Sequence, residues 1–154
     1  MAEQRWVFVV RALDRPGTLT ATAAVFSNRG VSLESILASG IAPTTLENGR
    51  LILIFRATEA KQALLQRTLE RLSIIFEVDA YTYDDERLRA IAVAKLSSEA
   101  AIAPTADYSV ETIATTAAGR IVMLTGAPAV IETAISHLRE QDRLQDVVVS
   151  YITV

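Results

Sequence analysis

The 154-residue chain contains no cysteine, one histidine (His137), one tryptophan (Trp6) and two methionines. Without cysteine there is no disulfide, no thiol nucleophile and no zinc site of Cys/His type within one chain. A Ser-His-Asp triad has only His137 to draw on. An excess of one charge is lacking too. The 15 basic and 18 acidic residues leave a net charge of −3, which weighs against a general nucleic-acid binder. Apolar runs such as Leu51–Phe55 and Ile121–Leu124 are strand-sized, far short of the roughly 20 residues of a membrane span. Met1-Ala2-Glu3-Gln4-Arg5 shows no basic stretch leading into an apolar stretch and a small-residue cleavage site. The expectation is a cytoplasmic protein with no membrane partner.

Apolar residues are abundant, at 51%, against 21% charged, so the chain has material for a core and no signature of disorder. Its length suits one domain or two small units of roughly 75 residues, near the lower limit for independent stability.

Trp6 to Leu13 is β-branched and aromatic and predicts a strand, ended by the turn residues Asp14-Arg15-Pro16-Gly17. Thr18 to Asn28 predicts a helix with Leu19, Ala23 and Phe26 inward and Gly30 at its C-terminal end. Val31 to Ser39 and Leu51 to Phe55 predict strands, separated by a loop ending in the hairpin signal Asn48-Gly49. Glu59 to Leu72 predicts a helix and Ser73 to Tyr83 a strand. The order β-α-β-β-α-β is that of the split, ferredoxin-like unit. After Asp84-Asp85-Glu86 the order begins again, with strands from Leu88 to Leu96, Val110 to Thr115 and Arg120 to Leu124, a helix from Ala129 to Gln141, and a strand from Val147 to Val154. Ser97 to Asp107, where the first helix of a second unit belongs, holds Pro104 and predicts only a short or degraded helix. The fold class expected is α+β, with tandem ferredoxin-like units at 1–84 and 85–154.

The segment Leu13-Asp14-Arg15-Pro16-Gly17-Thr18-Leu19 resembles an ACT domain, the small amino-acid-sensing module. Leu13 to Leu37, with Val25-Phe26-Ser27-Asn28-Arg29-Gly30 and Leu33-Glu34-Ser35-Ile36, resembles more narrowly the small regulatory subunit of acetolactate synthase. Arg67 to Leu72 and the acidic linker into Arg87-Leu88-Arg89-Ala90-Ile91 also fit that family, while the second half matches in element order only. Asp14 and Ser32 stand where the family usually carries Asn.

The resemblance implies a non-catalytic regulator without a cofactor. It would bind a small, valine-like amino acid at an ACT dimer interface and modulate an acetolactate synthase catalytic subunit in branched-chain amino acid biosynthesis. On this reading the N–H groups of Gly17, Thr18 and Leu19 hold the ligand carboxylate at a helix N-terminus. Pro16 stiffens the loop, Asp14 accepts from the ammonium, and Ser32 adds a polar contact. Homodimers would form through the sheet edges, because Val31 to Leu37 alternates apolar and polar and leaves a strand face to bury.

Other readings of the same residues stay open. Asp14-Arg15-Pro16-Gly17 is equally a turn that ends a strand, with Asp14 as a cap or Asx-turn. The chain could be a stand-alone ACT sensor serving another enzyme. A small ferredoxin-like enzyme such as an acylphosphatase would need a phosphate-cradling loop, and here only Arg15 is in place. An RNA-binding module of this topology would read bases with aromatics on its central strands, where only Phe8 and Phe55 are available. His137 falls opposite the apolar stripe of its helix, which predicts a solvent-facing side chain.

Overall fold

A computed structural model describes residues 2–40, 49–97, 102–103 and 105–154. The chain divides into two compact units, Met1–Asp85 with Val154, and Glu86–Thr153.

The first unit contains β1 (Gln4–Ala12), α1 (Thr18–Asn28), β2 (Leu33–Gly40), β3 (Gly49–Ala57), α2 (Glu59–Glu70) and β4 (Ile75–Thr82). Its sheet is antiparallel in the order β2-β3-β1-β4. Each consecutive strand pair separated by a helix thus leaves room for another strand, which is the ferredoxin-like arrangement. Strand residues alternate between the two faces. On the face that packs with the helices, Phe8, Val10, Leu51, Leu53 and Phe55 join Val25, Phe26, Leu65 and Leu69 in one core. Three rings make its centre. Phe8, Phe26 and Phe55 meet edge to face, with centroids 4.7 to 6.1 Å apart, a geometry that places the positive ring edge on the negative ring face. Trp6 is buried and donates from Nε1 to the carbonyl of Ala57 at 3.1 Å.

The ends of α1 follow from local chemistry. Gly17 at its N-cap has φ +90° and Gly30 past its C-terminus has φ +67°, a region costly for any residue with a β-carbon. Gly30 N–H donates to Ser27 O and Val31 N–H to Phe26 O, the paired bonds of a Schellman motif. The inward face of α1 differs from the sequence expectation. Thr18, Thr22, Val25 and Phe26 are buried, whereas Leu19 is 44% exposed. Threonine can take those inner positions because its hydroxyl bonds back to the chain: Thr22 Oγ1 donates to Thr18 O and Thr18 Oγ1 to Leu13 O, at 2.8 and 2.7 Å.

The second unit contains β5 (Arg89–Leu96), β6 (Tyr108–Thr116), β7 (Gly119–Gly126), α3 (Pro128–Glu140) and β8 (Leu144–Ile152). Its antiparallel sheet repeats the order, β6-β7-β5-β8. Ala90, Ala92 and Ala94 line the inner face of β5 under Ile131, Ile135 and Leu138 of α3, a shallower core than that built around Phe8 in β1. The expected hairpin around Ala118-Gly119 joins β6 to β7. Of the expected degraded helix at Ser97 to Asp107, residues 98–101 and 104 lie outside the described residues. The described remainder, 97, 102–103 and 105–107, is not helical. Asn48 of the other hairpin signal also lies outside, and Gly49 opens β3. The fold is thus a tandem of ferredoxin-like sheets, with one described helix in the second unit. Among the described residues no helix is long and apolar enough to cross a membrane.

Candidate functional site

The loop from β1 to α1 turns on its own backbone. Leu13 N–H donates to Ile74 O, Arg15 N–H to Leu13 O and Thr18 N–H to Arg15 O, at 2.9, 3.1 and 3.3 Å. No side chain caps α1. The first intrahelical bond runs from Ala21 N–H to Gly17 O. Among the described residues, nothing accepts from the backbone N–H groups of Gly17, Leu19 and Thr20. These are the unpaired donors of a helix N-terminus, where the partial charge is positive.

A cavity of about 160 Å³ opens beside this loop. Asp14, Arg15, Thr18 and Leu19 form one wall, and the ends of β2 and β3, Ala38–Gly40 and Gly49–Leu51, form the other. Its volume is similar to cavities of about 150 Å³ that hold a benzene-sized molecule, the scale of a small amino acid. Two glycines make the walls possible. Gly40 and Gly49 face each other across β2 and β3. A β-carbon at Gly49 would come within 2.8 Å of Ala12 O and 3.2 Å of the Asp14 backbone, and one at Gly40 would strike the Asp14 carboxylate. The sequence pattern marks Gly49 only as half of a hairpin signal and passes over Gly40, because only strand register sets the two against Asp14.

The six residues named from the sequence do not all converge. Asp14, Thr18 and Leu19 line the cavity, while Pro16 and Gly17 shape the loop without lining it. Thr18 spends its N–H on Arg15 O and its hydroxyl on Leu13 O, which leaves Gly17 and Leu19 of the three expected N–H donors. Ser32 opens instead on a separate hollow of about 250 Å³ with Glu3, Gly30, Val31, Glu34, Arg56 and Lys61. It lies beyond the far end of α1, whose 11 residues span about 16 Å at 1.5 Å per residue.

The remaining chemistry is sparse. His137 is exposed on α3. Among the described residues no group of three or more His, Cys, Asp or Glu could hold a metal ion. Phe8 and Phe55 are fully buried under the helices, so neither presents a ring for base stacking.

No protein-family model matches the sequence, and no curated protein matches it. Solved structures do match in shape. The acetolactate synthase small subunit from Thermotoga maritima superposes with a TM-score of 0.72 at 17% identity, over 100% of this chain and 98% of that one. The regulatory subunit of aspartate kinase from Thermus thermophilus matches with a TM-score of 0.45 at 16% identity, over 90% of this chain and 94% of that one. The repeated β2-β3-β1-β4 order and the full-length superposition meet in one conclusion: the chain has a tandem ferredoxin-like fold, similar over its whole length to that of the acetolactate synthase small subunit from Thermotoga maritima.

Proposed function

We propose that the protein is a non-catalytic regulator that binds a small, valine-like amino acid at a junction between the first units of two chains. The observation that carries this reading is the cavity at the β1–α1 loop, lined by Asp14 and by Leu19, whose N–H is unpaired among the described residues, with the Gly17 N–H at the same helix N-terminus. A zwitterion presents complementary groups: the carboxylate suits the helix N-terminus and the ammonium suits Asp14. A sensor working near 0.1 mM needs only about 5.5 kcal/mol of binding free energy, within reach of such contacts.

The junction explains how Ser32 takes part. Strand β2 is the edge of its sheet, and edges invite a partner strand. Ile36 in its middle and Leu19 beside the cavity are each 44% exposed, apolar surface that a second copy would cover. If two β2 strands pair antiparallel about Ile36 and Leu37, Leu33 of one chain lies across from Gly40 of the other. The Ser32 hollow of one copy then meets the Asp14 cavity of its partner. The modulated enzyme is, on this reading, an acetolactate synthase catalytic subunit in branched-chain amino acid biosynthesis, as the resemblance implies. The ligand acts on it by favouring one arrangement of the regulator over another.

Calorimetric titration with valine, leucine, isoleucine and the other standard amino acids tests the reading. Saturable binding is expected for at least one small apolar amino acid, and Gly17→Asp is expected to abolish it by placing a carboxylate where the ligand's belongs. Silence across the whole set would leave the loop as a turn. Light scattering that returns a monomer at micromolar concentration would remove the junction, and failure to capture an acetolactate synthase catalytic subunit in a pull-down would remove that partner.

A further inference from the structure

Two pairs of arginines face each other across β1 and β3, on the side of the sheet away from the helices. Arg5 lies opposite Arg56 near one end, and Arg11 opposite Arg50 near the other. Alternation along the strands sets all four on the face opposite Phe8, Leu53 and Phe55. Like charges directly opposite on neighbouring strands repel, so each pair calls for an anion.

At the first end the protein supplies one. Glu34, on the neighbouring edge strand β2, accepts from Nε of Arg5 through one carboxylate oxygen and from Nε of Arg56 through the other, both at 2.8 Å. At the second end no described carboxylate bridges the pair. There β2 presents Ser39 beside Arg50, a hydroxyl without charge. Glu77 reaches Arg11 alone, at 3.8 Å, and both side chains are about half exposed, at 53% and 52%. Nε of Arg50 is buried and, among the described residues, donates to nothing.

We propose that Arg11, Arg50 and Ser39 form a receptor for a carboxylate, which would bridge the two arginines as Glu34 bridges Arg5 and Arg56. A planar group with two oxygens suits a pair of Nε donors, and the Ser39 hydroxyl can donate to either oxygen. The carboxylate comes from a free small molecule or from an acidic side chain of a partner protein, which present the same group. Arg50 and Ser39 also border the loop cavity and Arg11 does not, so the receptor adjoins the amino-acid site, and substitution of Arg11 tells the two apart.

Nuclear magnetic resonance of the full chain, labelled with nitrogen-15, reads this directly through the arginine Nε–Hε signals. The probes are sodium succinate and a blocked Gly-Glu-Gly peptide, each compared with sodium chloride at equal ionic strength. The Arg50 signal is expected to shift saturably with a carboxylate and not with chloride. Saturation at lower concentration with succinate assigns a free small molecule, and with the peptide a partner's side chain. Ser39→Glu, which supplies the carboxylate from within as Glu34 does, is expected to raise the melting temperature and remove the response. Arg11→Gln, at a half-exposed position, is expected to weaken it at least fivefold. An Arg50 signal that moves no more with either carboxylate than with chloride overturns the proposal, as does a response unchanged in both variants.

Discussion

The Asp14 carboxylate rests against Gly40, in the space that a β-carbon at position 40 would fill. The last residue of edge strand β2 thereby sets where the acidic group of the β1–α1 loop can point. Both residues line the same cavity, so the loop and the sheet edge form one site whose shape depends on the absence of a side chain.

Gly40→Ala is therefore expected to push the Asp14 carboxylate out of place and to weaken amino-acid binding tenfold or more. That is the loss of one charge-assisted hydrogen bond, about 1.5–3 kcal/mol. Gly40 is exposed at a strand end, so the melting temperature should change little. Calorimetry on the variant reads the affinity, and an unchanged value would separate Asp14 from the ammonium.

Gly17→Ala tests the backbone alone. At φ +90° with nothing within 4 Å of a built β-carbon, the substitution meets no clash, only the left-handed conformation itself. The expected cost is about 1–2 kcal/mol, measured as a lower urea midpoint at constant slope.

Phe26→Ala removes one of three rings that meet edge to face in a core where Phe26 is 1% exposed. The lost transfer energy and the cavity left behind amount to about 3–5 kcal/mol. Chemical denaturation should show this as a large drop in the stability of the first unit.

Asp142→Gly is expected to stabilise. Asp142 follows α3 with φ +55°, and the bonds from Asp142 N–H to Arg139 O and from Arg143 N–H to Leu138 O repeat the terminus seen at Gly30. Glycine takes this position at lower cost than aspartate, by roughly 0.5–1 kcal/mol. Thermal denaturation should show a higher midpoint, and a fall would mean that the Asp142 side chain contributes more than its backbone costs.

Much of the fold was legible because it is local. Thr18 to Asn28 reads as a helix by composition and by its closing Gly30, and α1 has those bounds. The strands show as apolar, β-branched runs between turn residues, and β1 and β3 lie where those runs do. What failed was orientation. Leu19 reads as a core residue and Thr22 as a flanking one, yet Leu19 is 44% exposed and Thr22 fully buried. Hydrophobicity cannot foresee a threonine that satisfies its hydroxyl on its own helix and so fits beneath the sheet. The candidate site was half legible for the same reason. Asp14, Thr18 and Leu19 are neighbours in the chain and in the cavity, whereas Ser32 is tied to them only by a distant motif position and opens elsewhere.

The sequence by itself determined the element order, its repetition in the second half and the glycine-marked ends of α1, because each depends on residues within a turn or two of one another. Only the tertiary structure decided that Gly40 and Gly49 face each other beside Asp14, that Glu34 joins Arg5 to Arg56, and that Arg11 and Arg50 stand opposed without a described carboxylate between them. Those relations arise from strand register across the sheet, where one residue of slip turns every side chain to the other face.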